Sequence, residues 1–204
     1  ARPGVGKTSW GLCVARNAAV LGNKTVAIFS LEMSRIEVVQ RLLSMETEID
    51  ASRIREAHLS SYDFTKLAGA VSALAIAPMY LDDGTSLSVS EVRARALRLH
   101  REVPIDLLIV DYLQLLHGSG DRGVNRVQEM GEVSMGLKSL ARELNAPVVA
   151  MAQLSRAVEG RHPHIPILAD LRESGNLEAD ADICVLLYRE DMYDRDSERK
   201  GIVE

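Results

Sequence analysis

The chain has 204 residues, 47% hydrophobic and 26% charged, with a formal net charge of -5 at pH 7, which suits one globular domain with a sizeable core. An acidic balance excludes a surface coated in basic charge, so any nucleic-acid contact must come from a local cluster. No run of ~18 apolar residues and no secretory signal occurs, which leaves no candidate membrane helix and makes the cytoplasm the expected location.

The first eight residues, Ala1-Arg2-Pro3-Gly4-Val5-Gly6-Lys7-Thr8, fit the pattern G-x-x-x-x-G-K-[ST], with Ala1 in place of the first glycine. In that pattern main-chain N–H groups and the positive end of the next helix cradle phosphates, the lysine reaches the β and γ oxygens, and the hydroxyl ligates Mg²⁺. Gly4, Val5, Gly6, Lys7, Thr8 and Ser9 are therefore the expected ATP contacts. A glycine-rich turn before a helix would account for the glycines but not for the adjacent lysine and threonine. A loop of this kind joins a buried strand to a helix, and no residue here precedes it. The chain is therefore expected to be a piece of a longer protein, with its first strand outside it.

Residues 8–21 carry apolar side chains at helical spacing (Trp10, Cys13, Val14, Ala18) and end at Gly22. Residues 24–30 read as a buried strand, and Ser34 with Glu37 spells a capping box opening a helix to about Met45. Polar helix formers fill 52–77, broken near Ser60 and Ser61, before a short strand at 79–82. A second capping box, Ser88 with Glu91, starts a helix whose Arg93, Arg95 and Arg98 are expected on a solvated face, with Pro104 ending that element. Residues 105–111 are nearly all aliphatic, as in a central parallel strand. A glycine-rich loop at 117–125 leads to an amphipathic helix ending at Leu144. Buried strands are expected at 147–152 and 182–188, separated by a long irregular stretch. Strands alternating with helices imply an α/β fold, a doubly wound, mostly parallel sheet with ligands at the carboxyl ends of its strands. Cys13 and Cys184 sit far apart in apolar runs and read as buried thiols.

Asp111 closes an aliphatic strand, where a carboxylate beside the phosphate loop belongs to the Mg²⁺ shell. In many ATPases a glutamate follows this aspartate and polarises the attacking water; here Tyr112 stands there, so the base must come from elsewhere. Glu32, just past the strand at 24–30, is the best candidate, although an acidic residue before a helix also favours the helix dipole. Gln153 ends another strand, where an amide can sense the γ-phosphate, or simply terminate the strand. Two histidines, His162 and His164, lack the partners of a metal site. Arg172 and the main-chain N–H groups near Ser174 and Gly175 are candidates for gripping phosphates, while aromatic residues at 4% leave few platforms for base stacking.

Five segments together resemble the DnaB-type replicative helicases, hexameric RecA-like motors on single-stranded DNA. They are Ala1 to Thr8, Ser-Leu-Glu-Met-Ser from Ser30, Ile-Val-Asp-Tyr-Leu-Gln from Ile109, Ala-Gln-Leu-Ser-Arg from Ala152, and Asp-Leu-Arg-Glu-Ser-Gly from Asp170. The resemblance implies a RecA-like P-loop NTPase fold over 1–204 and ATP-driven 5′ to 3′ translocation with strand unwinding. It implies Glu32 as base, Lys7 on the phosphates, Thr8 and Asp111 on Mg²⁺, Gln153 as sensor and Arg41 near the nucleotide. Arg172, Glu173, Ser174 and Gly175 would hold the DNA backbone. Implied partners are five further copies in a ring, a primase and a helicase loader, with no membrane. The family's collar domain, first motor strand and arginine-finger strand are not in this sequence. A RecA- or RadA-like recombinase and a non-catalytic ATP-binding assembly module are the alternatives from other classes.

Overall fold

The computed structural model describes residues 1–118, 126–174, 177–194 and 196–204, with the main chain alone for 172–174. Its centre is a parallel sheet of four strands: β1 (Val26–Ser30), β2 (Met79–Asp82), β3 (Leu107–Asp111) and β4 (Val148–Ala150), in the order β2-β1-β3-β4. The register sets Ser30 opposite Asp111. The carboxyl ends of the two central strands therefore finish level, which decides where side chains from both can meet.

Helices cover both faces, and the two-residue period of the strands sorts their side chains between them. Ala27, Phe29, Leu108 and Val110 face one way and pack with α5 (Val89–Glu102) and α6 (Arg126–Leu144), through Val92, Ala96, Met130, Val133, Leu137 and Leu140. Val26, Ile28, Leu107 and Ile109 face the other way, onto α1 (Lys7–Arg16) and the turn after it, and onto α2 (Arg35–Thr47), through Leu12, Ala15, Ala19, Val38 and Leu42. A strand buried on both faces needs apolar residues at nearly every position, which is why 107–110 reads as an unbroken aliphatic run.

The remaining helices are α3 (Ala51–Arg55), α4 (Ser61–Ile76) and α7 (Leu177–Asp180). Ser34 and Ser88 form the expected capping boxes with Glu37 and Glu91, and Ser60 forms a third with Asp63. Each reciprocal pair satisfies main-chain donors that a helix start leaves open. The first helical stretch is less regular than its spacing implies. After Arg16 it widens into a π-helical turn at Asn17–Leu21, closed by the N–H of Gly22 donating to the Asn17 carbonyl at 3.0 Å.

Three expectations are corrected. Residues 182–188 join no strand ladder: Ile183 is 83% exposed, Val185 is half exposed, and Tyr188 exchanges main-chain hydrogen bonds with Glu204. Among the described residues, the chain bonded to the outer side of β4's extension is Ala1, at Ala152 and Leu154. Among the described residues, 182–188 therefore pairs with none of the four strands. β4 ends the sheet of described strands and is partly exposed rather than buried. Arg93, Arg95 and Arg98 lie exposed as expected, and two of them also tie elements together, Arg93 to Glu143 of α6 and Arg95 to Asp82 of β2. Cys13 lies on the outer side of α1, exposed and 3.9 Å from the Met45 sulfur, and Cys184 is half-buried; an apolar run on an amphipathic helix spans both of its faces.

Within the stretch between β4 and α7, an ion pair joins two parts of the chain. Asp170, 4% exposed, accepts from both terminal nitrogens of Arg161 at 3.1 and 2.8 Å and from the Ile167 N–H at 2.7 Å. The Arg161 hydrogen bonds hold the Asp170 carboxyl below its usual pKa, against the effect of burial. A carboxyl with a depressed folded pKa contributes stability that is complete above its unfolded value, about 4, and is lost as pH falls through the folded value. Asp170→Ala is expected to cost about 2 kcal/mol at neutral pH. The loss should shrink on acidification below about pH 4. Urea unfolding at both pH values checks this; equal stability of variant and wild type at neutral pH would contradict it.

Candidate functional site

The site begins at the turn before α1. Gly4 (φ 80) and Gly6 (φ 114) both lie in the left-handed region, where a side chain would be strained. Met192 packs against Gly4 closely enough that a Cβ there would meet its methyl at 3.3 Å. Val5 between them is buried and anchors the turn. Gly6 is the N-cap of α1 and no side chain caps this helix, whereas α2, α4 and α5 are closed by serine boxes. The first-turn N–H groups of α1, with the helix dipole behind them, are thus free to meet an anion.

Four chain segments converge in front of that turn. From α1, the Thr8 hydroxyl donates to Asp111 Oδ2 at 2.6 Å, and Lys7 Nζ lies 2.9 Å from Asp111 Oδ1. Asp111 ends β3 and is 3% exposed. Glu32 stands on the bend after β1, with Oε2 3.8 Å from Lys7 Nζ and its side chain half exposed. The bend is fixed by the Leu31 N–H donating to the Asp111 carbonyl at 2.8 Å and by the Ser30 hydroxyl donating to the Met33 carbonyl at 2.7 Å. The Lys7 ammonium also sits 3.7 Å from the centre of the Tyr112 ring, a cation–π contact that holds the lysine without a competing donor. Burial, then the charges of Glu32 and Asp111, raise the pKa of the Tyr112 hydroxyl. Arg41 on α2 donates to the Ser9 hydroxyl at 3.3 Å, bringing the last expected nucleotide contact to the same helix start.

Gln153 lies past β4, close to the same edge. Its main chain is gripped by the side chain of Gln114: the Gln153 N–H donates to Gln114 Oε1 at 3.1 Å, and Gln114 Nε2 donates to the Gln153 carbonyl at 3.0 Å. Gln114 belongs to the quoted Ile-Val-Asp-Tyr-Leu-Gln run but was not among the expected site residues. A polar residue shortly after a strand-ending aspartate was the only local signal. Arg2 was also missed; it donates to Glu159 and to the Leu154 carbonyl, tying the turn to the chain after β4. Of the expected DNA contacts, Gly175 lies outside the described residues, as do the side chains of Arg172, Glu173 and Ser174; their main chain continues the 3-10 segment Leu168–Ser174. The described residues hold no cluster of three or more metal-ligating His, Cys, Asp or Glu side chains, and no helix among them is long and apolar enough to cross a membrane.

A hydroxyl, an ammonium and two carboxylates meeting before an uncapped helix start suit a phosphate chain with a bound cation. Comparison with known proteins agrees. The family model described as the DnaB-like helicase C terminal domain matches residues 1–204. The replicative DNA helicase DnaB of Geobacillus stearothermophilus is 48% identical over 204 residues, all of this chain and 45% of that protein. The replicative DNA helicase DnaC of Bacillus subtilis (strain 168) is 47% identical over the same length and 45% of its own. The chain thus spans less than half the length of these relatives. Among solved structures, a DnaB-like replicative helicase described with its interactions with primase superposes with a TM-score of 0.93 at 38% identity, covering 99% of this chain and 49% of that one. A second solved structure, of an ATPase domain, gives 0.94 at 38%, covering 99% and 72%.

Proposed function

We propose, from the premise that this chain belongs to the DnaB-like helicase C-terminal domain family, that it is the ATP-hydrolysing motor domain of a replicative DNA helicase. The observation that carries this reading is the meeting of Thr8, Lys7 and Asp111 in front of an uncapped α1, with Glu32 at its rim. The α1 N–H groups and Lys7 bind the phosphates, with Gly4, Val5, Gly6 and Ser9 shaping the turn and Arg41 beside it. Thr8 and Asp111 offer two oxygen donors 2.6 Å apart, a set that suits Mg²⁺. They would hold it together with the phosphates, where it neutralises charge on the β and γ oxygens. Glu32, the one carboxylate of the group that is half open to solvent, accepts a proton from the attacking water. Gln153 senses the γ-phosphate. Lys7 moves from Asp111 and Tyr112 onto the phosphates when ATP enters.

The relatives are about twice as long as this chain, which supports its being the motor part of a longer polypeptide, with the first strand and the arginine-finger strand in the remainder. A ring of six copies on single-stranded DNA, moving 5′ to 3′ in the cytoplasm with a primase and a loader as partners, completes the proposal. The primase in the description of one solved relative supports that partner. ATP turnover by the full-length protein with and without single-stranded DNA tests it: DNA-stimulated hydrolysis is expected, and its absence would contradict the reading. Arg172, Glu173, Ser174 and Gly175 are proposed to hold the DNA backbone. Arg172→Ala should weaken binding about equally for all sequences and lower the salt slope, as loss of a phosphate contact does. Titrations of poly-T and poly-A at several salt concentrations check this. A changed preference between the two with an unchanged slope would contradict it.

A further inference from the structure

The end of β4 is held from both sides, and on one of them the partner is a side chain. On the outer side Ala1 bonds through its main chain, its amine donating to the Ala152 carbonyl at 3.0 Å and its carbonyl accepting from the Leu154 N–H at 3.1 Å. On the inner side the ladder with β3 runs as far as Met151, whose N–H donates to the Val110 carbonyl and whose carbonyl accepts from the Leu113 N–H. There the chain after β3 turns into a 3-10 segment, Leu113–Leu115, and its main chain leaves the ladder. Gln114 continues the ladder with its side chain. Its amide oxygen accepts from the Gln153 N–H and its nitrogen donates to the Gln153 carbonyl, the donor and acceptor pattern a paired strand would supply. The main-chain partners fix the orientation of the amide, since only its oxygen can accept and only its nitrogen can donate.

Gln114 also faces the loop that follows. The Arg126 guanidinium donates to the Gln114 carbonyl and to Glu129, and Glu129 accepts from the Gly118 N–H at 3.1 Å, so Glu129 ties Gly118 to the start of α6. The main chain of Gln153 is thus joined by one residue to the start of α6. We propose that Gln114 is a positioning residue: its side chain sets where Gln153 stands relative to the phosphate turn, and its carbonyl links that position to the start of α6 through Arg126 and Glu129. This rests on the reading of Gln153 as γ-phosphate sensor. A displacement of about 1 Å in a group that must meet a reacting phosphate costs up to about 10²-fold in rate, so a clasp on the main chain of the sensor has catalytic consequences without touching the nucleotide.

The test is a double-mutant cycle in the full-length protein, with Gln114→Met, which keeps the length of the side chain and removes both hydrogen bonds, and Gln153→Ala. Gln114→Met is expected to lower kcat for DNA-stimulated ATP hydrolysis roughly 10- to 100-fold with ADP affinity unchanged. Added to Gln153→Ala it should lower kcat no further, because both changes remove one function. Hydrogen exchange at the Gln153 N–H should accelerate in Gln114→Met while exchange in β3 stays at the wild-type rate. If Gln114→Met does not fold, Gln114→Glu keeps the acceptor and loses only the donation to the Gln153 carbonyl, and a smaller loss of kcat is expected. Multiplicative losses in the cycle, or unchanged Gln153 exchange, would overturn the assignment while leaving the nucleotide site intact. A wild-type protein without DNA-stimulated turnover would remove the sensor reading and this proposal together.

Discussion

Glu32→Gln is expected to leave ATP binding nearly unchanged and to lower turnover by a factor on the order of 10² to 10⁴. The amide has the size of the carboxylate and sits on a bend fixed by Ser30, Leu31 and the Asp111 carbonyl rather than by Glu32 itself, so the loop should stay in place. The Glu32 carboxylate meets Lys7 in a long contact, at 3.8 Å, and a half-exposed pair of that kind contributes little to stability. What is lost is the capacity to accept a proton. Equilibrium binding of labelled ATP and steady-state hydrolysis by the full-length protein separate the two quantities. Near wild-type turnover would show that Glu32 is not the base.

Lys7→Met should do more, acting on both catalysis and folding. On the catalytic side it removes the cation that meets the charge developing on the γ-phosphoryl group, a loss of about 10²- to 10³-fold or more in turnover. On the folding side it leaves the Asp111 carboxylate, 3% exposed, with the Thr8 hydroxyl as its remaining side-chain donor among the described residues. Removing one partner of a buried pair costs about 3 kcal/mol or more, because the other charge stays behind. The second change Asp111→Asn is therefore expected to restore much of the stability lost in Lys7→Met while restoring no turnover. Thermal unfolding and hydrolysis assays on the single and double variants test this. A Lys7→Met protein as stable as wild type would show that the ammonium is not what balances Asp111.

Much of this site could be read in the sequence because its chemistry is local. Gly4 and Gly6 are needed for backbone angles, Lys7 and Thr8 stand on the first turn of the helix those glycines begin, and Asp111 ends a strand whose aliphatic run marks it as central. The capping serines are visible for the same reason, since partner and cap lie three residues apart. What stayed hidden depends on long-range pairing. Gln114 meets Gln153 across 39 positions and Arg93 meets Glu143 across 50, and no period or motif encodes either. Residues 182–188 have a strand's composition, but composition supplies no neighbour, and among the described residues they join no ladder. Cys13 shows the limit of apolar runs: its neighbours Leu12 and Ala15 turn inward and it does not.

The proposed function requires that the Lys7, Thr8, Asp111 and Glu32 site drive movement along DNA. Unwinding of a forked duplex by the full-length protein tests it directly, with forks that offer either a free 5′ tail or a free 3′ tail on the loading strand, and with wild-type and Glu32→Gln protein side by side. Opening of the 5′-tailed fork alone, dependent on ATP and abolished in Glu32→Gln although that variant still binds ATP and DNA, is the predicted result. Equal opening by Glu32→Gln, or ATP hydrolysis by the wild-type protein with neither fork opened, would contradict it.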